Sequence, residues 1–172
     1  MIGRPKPNEA APHFAKYIAL APGDDPIALI ESQLESSLAF FQQISEERSR
    51  FRYAPDKWSI KQVLSHSTDT ERAFSYRALW FGRGFSEALA SFNQETAAAG
   101  AEADRLTWAT HVEDFRAVRQ ATITLFRNLP EAAWDRGGVV SGNPITVRAL
   151  AYIIVGHLAH HNTIIQERYL AD

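Results

Sequence analysis

Cysteine is absent from the 172 residues of this chain. Disulfides, thiolate metal ligands and cysteine nucleophiles are therefore excluded. An excess of either charge is missing as well, since 18 Lys and Arg stand against 20 Asp and Glu. These charges are scattered along the sequence. Because nucleic-acid binding needs a concentrated positive surface, the sequence predicts no DNA or RNA partner.

Long hydrophobic runs are also missing. No apolar stretch approaches the roughly 20 residues that a membrane-spanning helix needs. The N-terminal sequence MIGRPKPNEAAPHFAKY lacks the apolar segment of a signal peptide. The sequence therefore predicts no membrane partner and a cytoplasmic location. Hydrophobic residues still make up 45% of the chain, enough for a single domain with a substantial core.

Four segments repeat apolar residues at steps of three and four, which is the period of an α-helix. Three of them begin after a residue suited to cap a helix N-terminus, namely Asp25, Ser59 and Thr146, and the third begins near Thr107. Residues 85–106 form a long, alanine-rich crossover, and residues 137–144 a turn-rich loop with a short extended piece. We predict an all-α four-helix bundle over residues 24–172, preceded by an N-terminal tail at residues 1–23.

The stretch GHLAHH, residues 156–161, holds three of the six histidines. His157 and His161 lie about 40° apart and one turn along a helix, on a seam where Leu or Ile is expected. This spacing lets two imidazoles bind one ion. His66, on the inward face of the second helix, is the candidate third ligand. Histidines that are merely hydrogen-bonded in a core fit the same pattern, so both interpretations stay open.

Two neighbours of these histidines are candidates for supporting roles. His160, three residues after His157, could bind the ion, support a ligand or face solvent. Asp69, close after His66, could orient an imidazole or act as a base. A charged run such as DTER, residues 69–72, is also typical of a solvated surface.

Four further side chains are of interest. Tyr76 and Arg77 could contact the carboxylates of a substrate or serve the structure alone. His13 and His111 are predicted to be structural, because one lies in the tail and the other near a helix start.

Several other kinds of site are excluded by the motifs. No histidine has Glu or Asp three residues before it, which argues against a di-iron carboxylate bundle. The GxSxG motif of a nucleophile elbow is absent. Three neutral imidazoles with an open position fit catalytic zinc best, and nickel, iron or manganese less clearly.

The stretches YAPDKWSIKQVLSHSTDTERAFSYRALWFGRG and ITVRALAYIIVGHLAHHNTIIQERYL resemble the DinB/YfiT-like family of damage-inducible proteins. The resemblance runs from about Ala21 onward. It implies a four-helix bundle that binds a divalent metal through His66, His157 and His161. His160 corresponds to a histidine that is often present there and is not usually a ligand.

The resemblance also implies a range of activities. Members of the family include thiol S-transferases that use bacillithiol or mycothiol, and proteins described as metal-dependent hydrolases. We predict a divalent-metal-dependent transferase that conjugates a small thiol to an electrophilic or xenobiotic partner. A metal-dependent hydrolase and a non-catalytic metal-binding stress protein are the alternatives. A homodimer is left open.

Overall fold

Four long helices and several short elements make up the computed structural model, which describes residues 2–171. The helices are α1 Ala15–Ala19, α2 Pro26–Phe41, α3 Ile60–Gly82, α4 Gln94–Ala101, α5 Trp108–Arg127 and α6 Val147–Ile164. The strands are β1 Gly137–Val140 and β2 Asn143–Thr146. A π-helical turn, Ile165–Tyr169, continues α6.

The predicted caps Asp25, Ser59 and Thr146 are confirmed, and Thr107 caps the remaining long helix. The Asp25 side chain accepts hydrogen bonds from the first amides of α2. Ser59 and Gln62 form a reciprocal capping box at the start of α3. Thr107 and Thr146 each accept a bond from the amide three residues further along. These caps fix where each helix starts, and so fix which residues lie on its inward face.

The long helices form the predicted four-helix bundle. Helix α3 packs against α5 and α6, and α2 packs against the same two helices. The stretch Ala149–Leu158 of α6 is buried throughout, which explains why it is hydrophobic on every side. Because α3 and α6 are neighbours, inward side chains of the two helices can meet. Within residues 2–171, no helix is both long and apolar enough to cross a membrane.

The N-terminal segment, predicted as a tail, is packed on the bundle. Its helix α1 lies against α6. Arg148 of α6 donates a hydrogen bond to Glu9 at 3.1 Å, and Arg4 donates to the Ile18 carbonyl at 2.8 Å. The first contact joins residues far apart in the sequence, the second lies within the N-terminal segment, and helical periodicity predicts neither. Residues 2–23 therefore cover the bundle, while a domain boundary at residue 24 stays a prediction.

The predicted loop at residues 137–144 is part of a β-hairpin. Its turn residues, Ser141 and Gly142, both have positive φ, 52° and 78°, as a two-residue hairpin turn requires. The crossover pairs with this hairpin, since the Leu89 amide donates to the Val139 carbonyl at 2.9 Å. Helix α4 lies within that crossover. The hairpin and the crossover together form one wall above the bundle.

Candidate metal centre

The structure brings three of the predicted site residues together. His66 lies near the start of α3, and His157 and His161 lie one turn apart on α6. The Nε2 atom of His157 is 3.2 Å from that of His66 and 3.2 Å from that of His161. One nitrogen from each ring falls within 4.8 Å of the others. The helix packing that joins α3 to α6 therefore produces a cluster of imidazole nitrogens.

The spacing of these nitrogens suits a divalent ion. A tetrahedral zinc ion with Zn–N bonds near 2.05 Å separates its nitrogen ligands by about 3.3 Å. Without an ion, the Nε2 atom of His157 has either one N–H or one lone pair, so it can form a well-directed hydrogen bond with only one of the other two rings. An ion would instead use one lone pair from each. The donor set and its spacing therefore fit a metal with three protein ligands.

Burial keeps the three imidazoles neutral. Only 5% of His66 and 7% of His157 is exposed. Desolvation lowers the pKa of His66 to about 4 and that of His161 to about 3. The pKa of His157 falls well below its usual range, because burial and then the two neighbouring imidazoles disfavour a charge there. The lone pairs of all three are therefore free for a metal at neutral pH.

Two contacts hold the His66 ring. The Trp58 ring lies 4.9 Å from it, centroid to centroid, and the Tyr169 hydroxyl fixes the Trp58 backbone by donating to its carbonyl at 2.8 Å. On the other side, Thr70 Oγ1 lies 3.4 Å from His66 Nδ1. Such a contact to the second ring nitrogen orients a metal-binding imidazole. Thr70 was not predicted, although its position four residues after His66 could have indicated it.

Helix α1 covers the other end of the site. The Tyr17 ring lies 5.3 Å from the His157 ring and 5.4 Å from that of His160. This close approach depends on Gly156, because a Cβ there would lie 1.8 Å from the Tyr17 carbonyl oxygen. The glycine before His157 therefore lets the N-terminal segment close over the histidines.

A cavity of about 330 Å³ opens beside His66 and His157. Its wall combines bundle, N-terminal segment, crossover and hairpin, with the side chains of Phe14, Tyr17, Phe74, Arg77, Phe92 and Ile145 among those that line it. A second cavity, of about 300 Å³, borders His161 on another side. The histidine cluster is therefore reachable by a small molecule.

The other predicted candidates lie outside the cluster. Asp69 pairs with Arg72 at 2.9 Å, and within residues 2–171 it makes no hydrogen bond to a histidine. His160 packs on Tyr17 and on the ring of His161, 5.3 Å away. Supporting roles for Asp69 and His160 stay predictions.

The remaining two histidines differ from each other. His111 is buried, and its Nε2 bonds to the Ala103 carbonyl at 2.8 Å, as expected of a structural histidine. His13, for which a structural role stays a prediction, lines the cavity. It lies in a short 3-10 turn of the N-terminal segment. Nothing in its local sequence indicates that this segment folds over the site.

A comparison with family models identifies the chain. The model of the DinB superfamily matches residues 29–165, most of the sequence. The chain belongs to the DinB superfamily. The predicted family is thereby confirmed, and the match includes all three clustered histidines of this DinB-superfamily protein.

A solved structure has the same fold. YfiT from Bacillus subtilis matches with a TM-score of 0.72 and 18% sequence identity, over 96% of this chain and 92% of that chain. YfiT is described as a probable metal-dependent hydrolase with an unusual four-helix bundle topology. At this identity the likeness establishes the fold alone. In a comparison of sequences, no curated protein matches this chain.

Proposed function

We propose that this DinB-superfamily protein is a divalent-metal-dependent transferase that joins a small thiol to an electrophilic substrate. The observation that carries the proposal is the convergence of the neutral imidazoles of His66, His157 and His161 beside a cavity. Zinc is the ion we expect, because three nitrogen ligands are typical of catalytic zinc sites. Nickel, iron and manganese are the alternatives.

The number of ligands supports a catalytic role. Among residues 2–171, the cluster ends at three histidines, with no fourth His, Asp or Glu in reach. Structural zinc sites usually have four protein ligands, whereas catalytic sites keep one position open. The cavity borders two of the three histidines that would hold the ion. A non-catalytic metal protein is therefore the less favoured alternative.

The composition of the cavity wall favours a thiol over water as the nucleophile. When bound, a divalent ion supplies positive charge that lowers the pKa of a nearby thiol, so that the thiolate forms at neutral pH. Metal-dependent hydrolysis commonly also uses a carboxylate as general base. Within residues 2–171, neither Asp nor Glu lines the cavity beside His66 and His157, whereas Asp56 and Glu95 line the smaller cavity beside His161. Thiol transfer needs no carboxylate base, so it is the reaction that this wall suits better.

Each group of residues has a stated role in this reaction. The three histidines hold the ion, and Thr70 orients His66. The aromatic wall, which includes Phe14 and Phe74, excludes water and receives the apolar part of the electrophile. A sulfur–carbon bond forms, the bond from that carbon to its leaving group breaks, and the thiol proton and leaving group pass to solvent.

Conjugation of monochlorobimane tests this proposal. We expect the zinc-loaded protein to accelerate its reaction with at least one thiol from cysteine, glutathione and coenzyme A by about tenfold or more. A chelator and the His157→Ala substitution should each abolish the acceleration. His160→Ala is the matched control and should retain most of it. Fluorescence no faster than the uncatalysed rate with every thiol, in metal-loaded protein, would contradict the proposal.

Hydrolysis is the second candidate, and His13 is the observation that favours it. This side chain borders the cavity and could accept a proton from water. The description of YfiT points to the same reaction class. Cleavage of a p-nitrophenyl ester without added thiol, lost in both His157→Ala and His13→Ala, would favour hydrolysis over transfer. Cleavage that depends on added thiol would favour transfer.

A further inference from the structure

Arg77 is a buried cation that has no ion-pair partner among residues 2–171. Its side chain lines the cavity, and only 8% of the residue is exposed. Its one hydrogen bond, to the Ala90 carbonyl, is long at 3.4 Å. Within residues 2–171, no carboxylate forms an ion pair with it. A guanidinium has five N–H donors, so most of its bonding capacity is unused by the protein.

Arg119 shows how the same protein treats a buried arginine that serves the structure. Arg119 is fully buried and donates to both carboxylate oxygens of Glu71, at 2.9 Å to Oε1 and 2.8 Å to Oε2. It also donates to Gln33 Oε1 at 2.7 Å. Burial of a charge without a partner is unfavourable. A partner from outside the chain would explain why Arg77 lacks such an arrangement.

The position of Arg77 relates it to the histidine cluster. His66, Thr70, Phe74 and Arg77 follow one another along one face of α3, within an arc of about 80°. His66 and Arg77 are eleven residues apart, so their Cα atoms are separated by about 16 Å along the axis. The Phe74 ring lies between, with the guanidinium carbon 5.4 Å from its centroid. The histidines and the arginine thus border opposite ends of one cavity.

The charge of the cavity points to an anionic ligand. Within residues 2–171, no Asp, Glu or Lys lines the cavity, and Arg77 is its single arginine. Burial lowers the pKa of the Arg77 side chain, and no neighbouring carboxylate opposes that effect. One guanidinium neutralises one negative charge and presents two parallel N–H donors to a planar carboxylate. A single arginine is less suited to a phosphate dianion.

We propose that Arg77 binds a carboxylate of the substrate and so selects small, elongated carboxylic acids. The reacting group then lies at the histidine end of the cavity and the carboxylate at the Arg77 end. The aromatic side chains between them contact the apolar middle of the molecule. This inference rests on the proposed function in taking the cavity as the substrate site, but it does not depend on which reaction occurs there.

Two matched probes test the inference without any turnover. 4-(Trifluoromethyl)phenylacetate and its uncharged amide have the same shape, and their binding to the full chain is followed by fluorine NMR. In metal-free protein we expect the carboxylate to bind at least about tenfold more tightly than the amide. Metal-free protein is used because a bound ion could itself attract a carboxylate. A preference below about twofold would overturn the proposal.

Substitutions locate the source of the preference. Arg77→Gln should reduce the preference to about twofold or less, while Arg83→Gln, which removes an exposed charge from the end of the same helix, should leave it unchanged. If Arg77→Gln fails to fold by circular dichroism, Arg77→Lys replaces it. The lysine keeps the charge without the planar fork, so the preference should fall at least about threefold. An unchanged preference in the folded variant would overturn the proposal.

This design separates the inference from the proposed function. If the protein binds no metal or conjugates no thiol, the proposed function fails while the Arg77-dependent preference can still be found in metal-free protein. If metal-dependent conjugation occurs but the probes bind equally, the inference alone fails.

Discussion

The two sides of helix α3 treat buried polar groups in opposite ways. Glu71 lies about 140° around the helix from His66 and is paired with Arg119, so its charge is matched within the chain. His66 and Arg77 face the cavity. There, the Nε2 atom of His66 lies 3.2 Å from that of His157, and the guanidinium of Arg77 makes one long hydrogen bond, to the Ala90 carbonyl. Buried polar groups are normally satisfied. We infer that the ion-paired side of α3 stabilises the fold and that the side facing the cavity binds ligands.

Breaking the ion pair of Glu71 with Arg119 should have the largest effect on stability. Glu71→Ala leaves the Arg119 charge buried without its partner, so we expect the free energy of unfolding to fall by about 3–5 kcal/mol. Urea denaturation measures the change. A loss below about 1 kcal/mol would mean that this ion pair does not differ from an exposed one.

Gly156→Ala should displace helix α1 from its position over the histidine cluster. The added Cβ would meet the Tyr17 backbone at 1.8 Å, so helix α1 has to move away from the histidines. We expect a loss of about 1–3 kcal/mol and faster proteolysis of the N-terminal segment. Gly100→Ala in α4 is the matched control, because nothing lies within 4 Å of its Cβ position. Equal stability of the two variants would contradict the close approach.

Acid should destabilise the metal-free protein through His66, whose pKa is lowered by burial. The pKa of His66 is about 4 when folded against 6.5 in its ordinary state, so between these values the unfolded chain binds more protons. The contribution of His66 to the free energy of unfolding is therefore fully present above pH 6.5 and is lost as the pH drops toward 4. Between pH 7 and pH 5 we expect His66 to account for a loss of about 1–2 kcal/mol in urea denaturation. If the free energy of unfolding of His66→Leu falls between pH 7 and pH 5 by as much as that of wild type, groups other than His66 cause the fall.

Arg77→Met should have the smallest effect on stability. Removing a buried charge that has no ion-pair partner costs little, so we expect a change within about 1 kcal/mol, in either direction. The corresponding substitution Arg119→Met should destabilise the protein far more, because it leaves Glu71 unpaired. An equal loss in the free energy of unfolding of the two variants would show that the two arginines contribute alike to stability, which would contradict the account.

The bundle and the histidine cluster were predictable because both depend on local spacing. The caps at Ser59 and Thr146 set the helix registers, and those registers place His66 and His157 on facing seams. The folding of residues 2–23 over α6 was not predictable. It depends on ion pairs such as Glu9 with Arg148, which leave no periodic signal.

The roles of individual polar side chains were harder to predict. Tyr76 and Arg77 are adjacent and differ by only 100° in direction, yet Tyr76 is 52% exposed while Arg77 lines the cavity. The crossover and hairpin decide this outcome, because they close a wall over one side of α3. Thr70 shares the face of His66, so its contact could be inferred only once His66 was taken as a site residue.

Elemental analysis of untagged protein tests the central claim most directly, namely that the three histidines bind a divalent ion. The proteins to compare are wild type, His66→Ala, His157→Ala and the control His160→Ala. We predict about one divalent ion per chain in wild type and in the control, and a near-complete loss in the other two. Wild-type protein that binds no ion after addition of zinc or nickel, or His157→Ala protein that binds as much as wild type, would contradict the account.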